Sequence, residues 1–157
     1  MPAITETGAK WEDEEMTSLF RATLAGAALA AALAAGPALA DMMSFKADLK
    51  AAPGIASQGT GNLSATYDTE SRKLSWKGTV SGLTGNPTAA HFHGPADPGQ
   101  NAGVLIPAAG VKTGEFEGSA TLTNDQAKVV TADKTYFMIH TPANPGGEIR
   151  GQVTKGQ

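Results

Sequence analysis

The chain has 157 residues, a formal net charge of −3 and no cysteine. A length of this order supports one domain. The absence of cysteine excludes disulfides, thiolate metal sites and a cysteine nucleophile, and no basic stripe offers a surface to nucleic acid or to an anionic membrane.

Residues 1–15 include Glu12, Asp13, Glu14 and Glu15, whereas an export signal starts with a basic segment. Residues 16–21, which end in Arg21, have the expected composition, so residues 1–15 read as a non-native upstream extension and Met16 as the true start. Residues 22–35 are almost entirely Ala, Leu and Gly; Gly36-Pro37 breaks the run, and Ala38-Leu39-Ala40 supplies a small-x-small cleavage site. Residues 16–40 thus read as a signal-peptide helix. The apolar run is shorter and richer in alanine than a membrane span, which needs roughly 18 or more apolar residues. The expectation is a periplasmic or secreted protein of residues 41–157 with no membrane attachment after cleavage. That segment carries ten Lys and Arg against ten Asp and Glu, a formal charge of zero.

From Asp41 onward, alternation of apolar and polar residues dominates, which predicts strands. Phe45, Ala47 and Leu49 alternate with polar neighbours until Pro53-Gly54; Leu63, Ala65 and Tyr67 follow. The longest run, residues 73–83, sets Leu74, Trp76, Gly78 and Val80 on one face, so Trp76 is expected in the core. Short strands are expected at 89–93 and 103–106, and another around Phe116, Gly118, Ala120 and Leu122. Thr123-Asn124-Asp125 caps a short helix reaching Ala132, and the last strands cover 135–141 and 148–153. About eight short strands separated by Gly, Pro, Asn and Asp turns predict an all-β fold, an antiparallel Greek-key sandwich or barrel.

All of the chain's histidines fall in two echoed stretches: His91 and His93 run into His-Gly-Pro-Ala-Asp-Pro-Gly, and His140 opens His-Thr-Pro-Ala-Asn-Pro-Gly. Side chains two apart on a strand share a face, so His91 and His93 project together while Phe92 points to the core. By the same parity Phe137 and Ile139 share one face of the later strand, and Tyr136, Met138 and His140 the other. The segments Asp97-Pro98-Gly99-Gln100 and Asn144-Pro145-Gly146-Gly147 both fit a type II turn. If the two strands are neighbours, the imidazoles of His91, His93 and His140 converge. Three neutral imidazoles suit copper or, less well, zinc, with a fourth position open to water, Asp97, Glu148 or the Met138 thioether. A second reading stands beside this one: the histidines satisfy buried loop carbonyls. Glu148 and Arg150 fit an ordinary surface pair. No Ser-His-Asp arrangement, phosphate loop or dinucleotide fingerprint is present.

The segments 90–96, 137–141 (Phe-Met-Ile-His-Thr) and 146–152 (Gly-Gly-Glu-Ile-Arg-Gly-Gln) resemble the CHRD domain, named from chordin. The resemblance implies an extracellular β-sandwich over the mature chain, a non-catalytic module that binds an unidentified extracellular or periplasmic ligand. A His-x-His strand followed much later by an apolar-apolar-His strand also resembles Cu/Zn superoxide dismutase, which implies copper ligation by His91, His93 and His140. The bridging histidine, the zinc loop and the disulfide cysteines of that family have no counterpart here, and Arg150 lies too late in the chain for the catalytic arginine. The second resemblance therefore implies a copper-binding protein without a zinc site, serving metal buffering, delivery or redox chemistry.

Cleavage is expected between Ala40 and Asp41. The intact mass of the exported protein checks it; a mass that still contains residues 22–40 rules it out.

Overall fold

Strict alternation of buried and exposed side chains builds the first three strands, β1 (Met42–Ala51), β2 (Thr60–Asp68) and β3 (Lys73–Ser81). The computed structural model describes residues 41–156; the upstream extension and the signal peptide expected at 1–40 lie outside them. The remaining elements are β4 (Ala89–His93), β5 (Val104–Pro107), β6 (Gly114–Thr121), α1 (Asn124–Thr131), β7 (Thr135–His140) and β8 (Ile149–Lys155). Eight antiparallel strands lie in the order β5-β4-β7-β8-β1-β2-β3-β6. The pairings of β3 with β6 and of β4 with β7 join strands that are not sequence neighbours, the Greek-key connectivity expected.

The sheet curls into a nearly closed barrel. Trp76 on β3 meets Phe92 on β4 edge to face, ring centroids 5.1 Å apart, although these strands are distant in the sheet order. Phe116 on β6 likewise stacks on Phe137 on β7 at 5.9 Å. One buried cluster therefore draws on every strand, from Phe45 and Leu63 through Phe92 and Ile106 to Ile149 and Val153.

Room for the rings comes from glycine on the facing strand. Trp76 pairs with Gly118, where an added Cβ would lie 2.7 Å from the indole; Phe116 pairs with Gly78, where a Cβ would lie 2.7 Å from the phenyl ring. The short helix α1 carries the expected cap: Thr123 Oγ1 accepts from the Gln126 amide at 3.2 Å, and Gln126 Oε1 accepts from the Thr123 amide at 2.9 Å. Gln126 Nε2 donates to the carbonyl of Leu105 at 2.8 Å, which ties the helix to the edge strand β5.

Trp76 is 5% exposed, as its alternation pattern requires, yet its Nε1–H has no acceptor among the described residues. Trp76→Ala should destabilise the domain by about 3–5 kcal/mol through cavity formation. Trp76→Phe should be much milder, because the donor it removes is unsatisfied. Chemical denaturation checks the order; no loss of stability in either variant would place the indole outside the core.

Candidate metal centre

Strand β4 lies antiparallel to β7, with His91 opposite Met138, His93 opposite Tyr136 and Ala89 opposite His140. Phe92, Phe137 and Ile139 are fully buried in the barrel core. The outer face of the same two strands therefore presents His91, His93, Tyr136, Met138 and His140. His140 is the diagonal neighbour of His91, within reach of a long or aromatic side chain. Because the strands are antiparallel, the loops that follow them leave at opposite ends. Residues 94–103 and 141–148 fold back over the outer face, so His93 is only 7% exposed and His140 only 9%.

The three imidazoles converge. Each offers one ring nitrogen such that all three lie within 4.8 Å of one another, and His91 Nδ1 stands 3.2 Å from His140 Nε2. The remaining nitrogens of His93 and His140 are fixed by the loops. A carbonyl only accepts, so His93 Nδ1–H donates to Ala102 O and His140 Nδ1–H donates to Pro145 O, each at 3.0 Å. Both rings are thereby locked in the tautomer that leaves an Nε2 lone pair, the arrangement that backbone carbonyls impose on metal-binding histidines. The Nε2 of His93 is buried without any partner among the described residues. The reading in which histidines satisfy loop carbonyls thus holds for one nitrogen of His93 and one of His140; His140 Nε2 accepts from His91 Nδ1–H, and His93 Nε2 beside them has no partner among the described residues.

Electrostatics favour the neutral form of His91 and His93. Burial, then the neighbouring imidazoles of His140 and His93, push His91 below the usual imidazole range. For His93 burial dominates, with His140 and Arg150 adding to it and the Ala102 carbonyl opposing. Neutral imidazole is the form that binds metal.

The CHRD domain family model matches residues 45–153. The chain belongs to the CHRD domain family. No curated protein matches the chain, and the family match gives no support to the likeness to Cu/Zn superoxide dismutase.

The two echoed loops of this CHRD domain are alike in task and different in conformation. In the first, the Gln100 amide donates to Asp97 O at 3.0 Å and Gly99 has φ 84°, a type II turn as expected. In the second, the Gly147 amide donates to Asn144 O at 3.0 Å, but the positive φ falls on Gly147, at 118°, and not on Gly146. The turn is therefore not type II. A Cβ on Gly147 would strike Met138 Sδ, so the thioether fills the space that glycine leaves.

Of the groups expected at a fourth coordination position, Asp97 and Glu148 are engaged elsewhere. Asp97 bonds to Lys134. Glu148 is fully buried before β8 begins. Its Oε1 accepts from Ser57 Oγ at 2.6 Å and the Thr84 amide at 2.8 Å; its Oε2 accepts from Thr84 Oγ1 at 2.6 Å and Thr141 Oγ1 at 2.5 Å. The expected surface pair of Glu148 with Arg150 does not form. Arg150 stacks its guanidinium 3.5 Å above the Tyr136 ring and donates to Asn101 Oδ1 and Gln100 O, both at 2.8 Å. The ring of Tyr136 in turn stacks on His93 with centroids 4.9 Å apart. Strand parity placed Tyr136 on this face. The hydroxyls around Glu148 come from irregular loops, where no periodic signal marks them. Two wider surface depressions, about 690 and about 540 Å³, lie over β2, β3 and β6 and are lined by residues such as Ser64, Lys77 and Glu117, remote from the histidines.

Burial alone would raise the Glu148 pKa, but the hydrogen bonds from Ser57, Thr141 and Thr84 outweigh it and hold the group at about 2, against an ordinary value of 4.5. A depressed folded-state pKa means that this stabilisation is present above the ordinary carboxylate range and is lost as pH falls through about 2. Glu148→Gln should destabilise the domain by about 2–4 kcal/mol at neutral pH. The gap to wild type should narrow between pH 4.5 and 2. Thermal melts across that range check it; a gap that does not change with pH would show that the carboxylate charge contributes nothing.

Proposed function

We propose that this chain is an exported CHRD domain that binds a copper ion through His91, His93 and His140, and that it holds or delivers the metal as a binding protein. The observation that carries this reading is the convergence of three ring nitrogens while loop carbonyls fix the tautomers of His93 and His140. The set His91 Nδ1, His93 Nε2 and His140 Nε2 is all nitrogen, which suits copper and zinc and is poor for calcium or magnesium. Copper is preferred to zinc on the Irving–Williams order. Three protein ligands leave a coordination position for water, for the Met138 thioether or for a group brought by a partner. Binding is favoured over turnover because Asp97 and Glu148 are both committed elsewhere and supply no free acid or base. Export rests on the signal-like residues 16–40 and agrees with the extracellular setting of CHRD domains.

Titration with copper(II) should show one tight site per chain with nitrogen hyperfine coupling in its paramagnetic resonance spectrum, and zinc(II) should bind more weakly. Replacing any one of the three histidines by Ala should weaken copper binding by about a hundred-fold or more, since even the outer partners of metal ligands typically count for 10–100-fold. Met138→Leu should have a smaller effect. Melting curves of the metal-free proteins confirm folding. Equal copper affinity in the wild type and all three histidine variants rejects the site.

A further inference from the structure

Among the described residues the ion pairs are Lys128–Asp125 and Lys134–Asp97, and Arg150 belongs to neither. Yet Arg150 is 9% exposed, on the covered outer face of β8. A buried cation without a counter-charge is costly. Its bonds to Asn101 and Gln100 and its stack on Tyr136 replace part of the lost hydration but leave the charge itself unneutralised. A guanidinium has five N–H donors, and these bonds use two of them.

Arg150 also lines a cavity of about 360 Å³. The segments around Ala52–Ile55, Gly99–Asn101 and Ala143–Gly147 form its walls. The lining combines apolar side chains, Ala52, Ile55 and Met138, with polar ones, Asn101, Asn144 and Arg150. The volume lies at the low end of small-molecule pockets. Apolar side chains and a planar cation in one cavity fit a ligand with a short hydrocarbon chain that ends in an acid, because guanidinium and carboxylate match as two parallel hydrogen bonds.

We infer that this cavity is a binding site for a carboxylate on a short apolar chain, with Arg150 holding the carboxylate and Ala52, Ile55 and Met138 holding the chain. Free short-chain acids and the C-terminal carboxylate of a peptide share this chemistry. The inference does not depend on copper: the cavity, the unneutralised guanidinium and the apolar lining residues stand without a metal, and its test contains none.

The full exported protein, freed of metal by chelation, is titrated calorimetrically with 4-methylpentanoate and with acetyl-Ala-Leu, and in parallel with the amide of each. Saturable binding of a carboxylate should be about ten-fold or more stronger than that of its amide. The methyl resonances of Met138 and Ile55 should shift on titration while those of Leu63, in the barrel core, stay in place. Stronger binding of the peptide assigns the site to a peptide terminus, and stronger binding of the free acid assigns it to a small metabolite. Arg150→Met should weaken carboxylate binding by about ten-fold or more, and Arg150→Lys should restore part of it. If Arg150→Met fails to fold, the comparison of acid with amide in the wild type still decides. No saturable binding of either carboxylate, equal binding of acid and amide, or unmoved Met138 and Ile55 methyls overturns the inference.

Discussion

The register in which β4 lies against β7 governs the rest of the outer face. It places His91 beside Met138 and His93 beside Tyr136, which brings His140 diagonally onto His91. A slip of one residue would turn Phe92 outward and bury the histidines in the barrel, because the side-chain period of a strand is two. The core enforces the register: Phe92 packs between Trp76 and Phe137 at centroid distances of 5.1 and 4.9 Å. Site geometry is thus a by-product of aromatic packing on the opposite face. Glycines 78 and 118 belong to the same constraint, since Phe116 and Trp76 keep their places only where the facing residue has no Cβ.

Covering that face with two loops creates the problem of holding them down. The first loop returns Ala102 O to His93, and the second returns Pro145 O to His140. The second is held in turn by Glu148, whose carboxylate gathers Ser57, Thr84 and Thr141. A buried carboxylate with four donors is far from the unpaired charge that burial penalises. It also links segments that share no strand pairing: the loop after β1, the loop after β3 and the loop after β7. The carbonyl of Pro145, which sets the tautomer of His140, therefore depends on a charge placed eight residues beyond His140 in the chain.

Much of this was legible in the sequence. Alternation, short apolar runs and turn residues are local properties, and they located all eight strands; the Thr123 cap located the helix, and strand parity the inward face of Phe92, Phe137 and Trp76. Strand parity together with the echoed loops identified the three converging histidines. The CHRD resemblance on residues 90–96, 137–141 and 146–152 agrees with the family match over 45–153. What escaped depends on loops closing in space. The Glu148 cage draws hydroxyls from residues 57, 84 and 141, which follow no period. In the second turn the positive φ falls on Gly147, beside which Met138 is packed, a tertiary contact that the Asn-Pro-Gly-Gly string does not encode.

The separation of Glu148 from Arg150 is the one departure with a chemical consequence for the histidines. Residues two apart on a strand share a face, so a salt bridge was the simple expectation, but Glu148 lies outside β8 and turns toward the hydroxyl-bearing loops. Arg150 is left with neutral partners: an amide oxygen, a carbonyl and the face of Tyr136. Had the carboxylate paired with it, the two fields would largely cancel at His93. Instead an unneutralised cation stands behind Tyr136, whose other face lies parallel to the His93 ring. Its charge disfavours protonation of His93, in the same sense as burial and His140. Keeping Glu148 away from Arg150 thus helps keep the Nε2 of His93 an unprotonated lone pair, at the point where the three imidazoles meet.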